Sequence, residues 1–215
     1  MTIQTLIRIK IFLIFLFLWI PSLANAVSIN FEISGLNSLS SPAQLAIEFI
    51  DGDGLSNNAE ITKIITDGGI DNVTLIGGAN PITGGYKIID SDFYNSVALL
   101  FSNSTSMSFV LNTSNNSPII GGFPDTIAIY LLDQLGLPLN LTDEPLGTNA
   151  LMAWTATGNA KGQLDLFSPI DQTGIAWVAT YGEDTNGTVP EPGVLSLLLF
   201  GVLGIFRKIK IQSGV

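Results

Sequence analysis

The chain reads as an all-β protein, an antiparallel β-sandwich of jelly-roll kind between two apolar tails. Three observations predict it. Apolar and polar residues alternate with period two through a series of short segments. Turn formers separate these segments at an uneven spacing of about 8 to 15 residues, the habit of sandwiches and not of repeat arrays. No stretch between residues 27 and 188 sustains a helical period, although Ser91 to Asn95 has the composition of a single turn.

Taken in order, Ser28 to Ser34 puts Ile29, Phe31 and Ile33 on one face, and Ala43 to Phe49 does the same with Leu45, Ile47 and Phe49. Further strands are expected at Glu60 to Ile65, Val73 to Ile76, Tyr86 to Ile89, Val97 to Phe101, Ser106 to Leu111, Thr126 to Leu132, Leu151 to Thr157, Gln163 to Phe167 and Ile175 to Thr180. Between them stand Asp51-Gly-Asp-Gly, Asp67-Gly-Gly, Gly77-Gly78, Asn115-Asn-Ser-Pro, Gly121-Gly122 and Thr157-Gly-Asn, residue types that tolerate the backbone of tight turns. Residues 27–188 are long enough for one domain with its own core. Trp154 and Trp177 fall within expected strands and are assigned to that core.

At the amino terminus, Arg8 and Lys10 precede an unbroken apolar run from Ile11 to Ile20; Pro21 then stops the helix, and Ala24-Asn25-Ala26 offers the small-x-small site of signal peptidase. Residues 1–26 are therefore expected to be a secretory signal cleaved after Ala26. The apolar run would cover about 15 Å as a helix, half of a hydrocarbon core, so a retained anchor is disfavoured. At the carboxy terminus, Val189-Pro190-Glu191-Pro192-Gly193 is held extended by its two prolines. A short apolar helix, Val194 to Phe206, and a basic cluster of Arg207, Lys208 and Lys210 follow, the order of a stop-transfer segment whose end stays cytoplasmic.

This tail, Val189 to Lys210, resembles the tripartite PEP-CTERM sorting signal of Gram-negative bacteria, and it is paired here with a secretory signal as that family requires. The resemblance implies that residues 189–211 are a sorting signal, that Pro190, Glu191 and Pro192 are recognition residues for an exosortase, and that the tail is removed. It implies a route through the Sec export machinery and signal peptidase, a single-pass stay in the inner membrane, and delivery to the cell surface or the extracellular exopolysaccharide of a biofilm. The middle of the chain is loosely similar to a recurrent β-sandwich ectodomain class of these proteins. The similar segments are Thr66 to Gly69, a Phe-Tyr-Asn segment and a Leu-Leu-Asp turn at Leu131 to Asp133. No activity is implied by that class.

Composition narrows the chemistry. The chain has no Cys and no His, which removes thiolate nucleophiles, Ser-His-Asp triads, imidazole acid/base and Cys- or His-ligated metals. Residues 27–188 carry 17 of the 18 acidic residues against Lys63, Lys87 and Lys161, a formal charge of −14, so nucleic acid is not an expected partner. Asp51-Gly-Asp53-Gly-Leu-Ser-Asn57-Asn58-Ala-Glu60 sets oxygen ligands on a glycine-rich loop that would suit Ca²⁺, although Leu55 and the short spacing to Glu60 break the EF-hand pattern, and a plain hairpin loop explains the same residues. A calcium-dependent carbohydrate-binding module is thus the alternative to a matrix component; otherwise no cofactor or metal site is expected. Carboxylate pairs for glycoside hydrolysis are Asp51/Asp53, Asp90/Asp92, Asp143/Glu144 and Glu183/Asp184, each in a loop or at a strand end where a solvated acid is the default. An enzyme is therefore not expected, and no catalytic residue is assigned. Tyr86, Tyr94, Tyr130 and Tyr181 are the aromatics able to stack on a sugar at a wet surface, with none preferred. Asn103-Ser-Thr and Asn112-Thr-Ser are taken as polar loop chemistry.

Overall fold

A computed structural model describes residues 26–39, 42–52, 56–116, 121–159, 161–171 and 173–182. The signal segment up to Asn25 and the unit 186–215, which contains the sorting motif, lie outside these residues. Twelve strands run in order: β1 (Ala26–Ser34), β2 (Ala43–Ile50), β3 (Asn58–Thr66), β4 (Asn72–Ile76), β5 (Ala79–Ile82), β6 (Gly85–Ile89), β7 (Tyr94–Phe101), β8 (Ser106–Ser114), β9 (Thr126–Leu132), β10 (Met152–Thr155), β11 (Gln163–Leu166) and β12 (Ala176–Tyr181).

They form two six-stranded antiparallel sheets, β12-β1-β8-β3-β6-β5 and β11-β10-β9-β2-β7-β4. β1 pairs β8, β2 pairs β7 and β3 pairs β6, the nested pairing of a long hairpin rolled on itself, and the two sheets make the expected antiparallel sandwich. β9 to β12 extend the two sheets outside this roll. The two inner faces share one core, in which Ile29, Phe31 and Ile33 of one sheet and Leu45, Ile47 and Phe49 of the other are buried. Each such side chain contributes about 1.5–3 kcal/mol by leaving water. Phe31 and Phe109, opposite each other in register, stack with ring centroids 5.2 Å apart.

Both tryptophans expected in the core are there, and each solves its N–H problem with a carbonyl. Trp177 on β12 reaches across to the other sheet, donating Nε1–H to the carbonyls of Leu151 and Phe167, both at 2.9 Å. Trp154 donates to the Lys161 carbonyl at 3.1 Å, and Gly162 lies so close over its ring that a Cβ there would sit 2.7 Å from it.

Every expected strand forms, and three local features differ from the reading of the alternation. β5 is a strand beyond those expected; it contains Pro81 and is an edge strand, where a missing N–H is tolerated. The register of β3 against β8 slips between Thr62 and Ile65, with Lys63 at φ 51; this bulge turns Ile64 to the core and leaves Ile65 67% exposed. Ser91 to Asn95 makes no helical turn: Tyr94 and Asn95 already belong to β7, and the short 3₁₀ turn is at Leu36–Ser38 instead.

Candidate functional site

The inward phase of several strands runs one residue past the last apolar side chain. Phe49 is followed two positions on by Asp51, Ile88 by Asp90, and Ile127 is preceded by Asp125; Asn57 continues the phase of Ala59 and Ile61 backwards. The loops carrying these four residues all connect the two sheets at the same end, so the polar side chains close that end of the core. One carboxylate oxygen from each of Asp51, Asp90 and Asp125 lies within 4.8 Å of the other two.

Asn57, only 3% exposed, organises the group. Its backbone N–H donates to Asp90 Oδ2 at 2.8 Å, its Nδ2 to Asp125 Oδ2 at 2.7 Å, and its Oδ1 accepts from Asn116 N–H at 2.8 Å and Ser114 Oγ at 3.0 Å. Gly52 N–H donates to Asp125 Oδ1 at 2.8 Å. A Cβ on Gly52 would meet the Phe123 carbonyl at 2.2 Å, so the close approach of the two loops requires glycine there. Burial, helped by the neighbouring Asp125 charge, pushes the Asp90 carboxyl above its ordinary range against the opposing bond from Asn57. Oxygens this far apart match the span of two ligands on one Ca²⁺, which takes each at about 2.3–2.6 Å. Phe93 and Phe123 flank the group: the Phe93 carbonyl accepts from Asp51 N–H at 3.0 Å, and the two rings are 75% and 78% exposed.

The residues of the loop considered for Ca²⁺, Asp51 to Glu60, take separate places in the fold. Asp51 faces residues from two other loops, Asn57 is buried as a donor and organiser, and Glu60 points outward from β3, where it forms a 2.9 Å ion pair with Lys87. Asp53 lies outside the described residues. Asp90 and Asp125 were missed as partners because nothing in the local sequence links them; the signal that would have found them is the continued inward phase.

Of the carboxylates considered for hydrolysis, Glu144 caps its own turn and Asp143 joins two loops. Asp143 accepts from Ser168 N–H, and Glu144 accepts from Leu146 and Thr148 N–H and from Thr148 Oγ, which together hold its carboxyl below the ordinary range although its slight burial works the other way. Asp92 accepts from Ser91 Oγ at 3.4 Å, while Asp90 belongs to the group above. Glu183 and Asp184 lie outside the described residues, as do the sorting residues Pro190, Glu191 and Pro192 and the signal-peptidase residue Ala24. Ala26 is the exposed first residue of β1, opposite Ser114.

Of the four tyrosines, Tyr86 and Tyr181 pack against the core, with Lys161 Nζ 5.4 Å from the Tyr181 ring. Tyr94 and Tyr130 instead stand on the outer face of the second sheet, on either side of Glu48. Tyr94 OH donates to Glu48 Oε1 at 2.8 Å. Burial pushes the Glu48 carboxyl up, and burial together with that bond pushes the Tyr94 phenol up to about 12. Among the described residues no helix is long and apolar enough to cross a membrane. Comparison of the chain with protein-family models, with curated proteins and with solved structures finds no match to any of them.

Proposed function

We propose that this is an exported, non-enzymatic protein of the cell surface or extracellular matrix, sorted by an exosortase and serving there as a structural or binding component alongside exopolysaccharide. The observation that carries the reading is the order of signals in one chain: a secretory leader ending at Ala26, and at the other end Pro190-Glu191-Pro192, a short apolar segment and a basic cap. The all-β domain between them suits this role. Of its loop carboxylates, Glu144 is engaged by its own turn and Asp143 by the Ser168 N–H of another loop. Replacing Pro190, Glu191 and Pro192 together by alanine is expected to leave full-length protein in the inner-membrane fraction. Variant protein of normal processed size at the surface would overturn the sorting reading.

A second reading, a calcium-dependent carbohydrate-binding module, draws on the convergence of Asp51, Asp90 and Asp125. A cation bound only by the folded chain would raise its melting temperature with concentration. EDTA would reverse the rise.

A further inference from the structure

We infer that the outer face of the β9-β2-β7 strands is a binding platform for a neutral polysaccharide chain, with Tyr94 and Tyr130 as stacking surfaces and Glu48 as the hydroxyl acceptor between them. The inference deepens the proposed matrix role and rests on it. β2 is the middle strand of the three, and Glu48 lies opposite Ser96 on β7 and Ala128 on β9. Tyr94 is one outward step further along β7, opposite Ile50, and Tyr130 one outward step back along β9, opposite Ala46. The aromatics thus occupy a diagonal with the carboxylate at its midpoint. At the usual strand spacing and rise their backbones are about 16 Å apart, and both phenols lie close enough to Glu48 to feel its charge.

The surface between them is low. Ala46, Ser96 and Ala128 are the small residues of this face and are at most 5% exposed. Tyrosine suits the walls because its ring offers an apolar face while a neighbour holds its hydroxyl, Glu48 for Tyr94 and Thr148 for Tyr130, so it loses little freedom when a ligand orders it. Glu48 is half-buried, and the Tyr94 hydroxyl fixes one of its oxygens, leaving the other free to accept from a ligand hydroxyl in a partly water-excluded setting where that bond is strong. The upward shift of its carboxyl reports the same desolvation.

Charge selects the class of polymer. β2, β7 and β9 contain no lysine or arginine, and Glu144 adds negative charge near the same face, as its influence on Tyr130 records. A uronic-acid or sulfated chain would meet repulsion with no compensating cation. A neutral chain meets none, and its hydroxyls supply the donors that a carboxylate needs.

The test uses the full chain and the producing organism's own extracellular polysaccharide, split by anion exchange into neutral and anionic fractions and immobilised separately, with EDTA present throughout. The wild type is expected on the neutral fraction, with retention unchanged by added salt. Tyr94→Ala and Tyr130→Ala should each weaken retention about tenfold, Glu48→Gln several-fold, and the Tyr→Phe variants much less, because the rings remain. The Glu48→Gln and Tyr→Phe variants keep shape and serve if an alanine variant fails to fold, as its melting curve would reveal. Folded alanine variants that bind like the wild type would overturn the platform and leave matrix binding standing. Retention on the anionic fraction alone would also overturn it. Retention on neither would remove the binding role as well, while the sorting reading still answers to the Pro190 to Pro192 variant.

Discussion

The two ends of the sandwich handle aspartate in opposite ways. At one end Asp67 follows β3 and is surrounded by donors: Thr105 through both its hydroxyl and its N–H, the latter at 2.8 Å, Ser104 Oγ at 2.9 Å, and Ser106 N–H. Those bonds, led by the Thr105 hydroxyl, hold its carboxyl far below the ordinary range. At the other end Asp51, Asp90 and Asp125 are brought together from three loops, and Asp90 is pushed the other way by burial and by the Asp125 charge. A carboxylate saturated by donors of the facing loop is a clasp between β3 and β8. One that shares its donors with two other acids is under electrostatic load that protonation or a cation would relieve.

That contrast can be broken most forcefully at Asp125. Asp125→Ala would remove the 2.7 Å acceptor of Asn57 Nδ2 and the acceptor of Gly52 N–H in a largely buried setting, so a loss of about 2–4 kcal/mol in unfolding free energy is expected from urea titrations. A change near zero would mean that water reaches these donors freely.

Next in size is Asp67→Ala, which removes the clasp. Because the folded carboxyl lies below its unfolded value of about 3.8, the native state holds fewer protons there than the unfolded one. Its contribution is full above pH ~4 and is lost as pH falls below that. The variant should therefore be less stable than the wild type at neutral pH and should converge with it in strong acid, read by urea titrations along a pH series. A constant gap at every pH would show that Asp67 acts by packing and not by charge.

The smallest effect is expected from Asp90→Asn, and its sign is the opposite. A carboxyl whose folded pKa is raised contributes most when protonated, and that contribution is lost as pH rises from its ordinary range of about 4 through the raised value. With the charge gone and the acceptor oxygen for Asn57 N–H kept, the melting temperature in EDTA should rise slightly at pH 7. Any stabilisation of the wild type by added calcium should be reduced in this variant. A variant that gains nothing in EDTA and still responds fully to calcium would remove Asp90 from the cation reading.

The alternation of Ile29, Phe31 and Ile33, and of Leu45, Ile47 and Phe49, exposes a half-buried strand without any tertiary information, because side chains on a strand point alternately to two faces. The same rule carried one residue further marks Asp51, Asp90, Asp125 and Asn57 as inward. Their inward direction was legible; their meeting was not, since it depends on which strand lies beside which. β5 was hidden by Pro81, which disqualifies a central strand but not an edge, and whether a strand is an edge is a property of the sheet. That Ile65 is exposed could not be seen in the strand expected at Glu60 to Ile65, because the bulge at Lys63 forms only with β8 alongside. Glu48 was unremarkable as an isolated acid on an alternating strand, and became a candidate only when β7 and β9 set Tyr94 and Tyr130 on either side of it.

By itself, then, the sequence determined what is local: the two apolar tails and their charges, the exclusion of thiol and imidazole chemistry, the period-two strands and the turns between them. The tertiary structure alone decided which acids share a space, which tyrosines face water and which small residues lie between them. Neighbours along a chain are set by covalent bonds, whereas neighbours across a sheet are set by register and winding, which depend on the packing of the whole core.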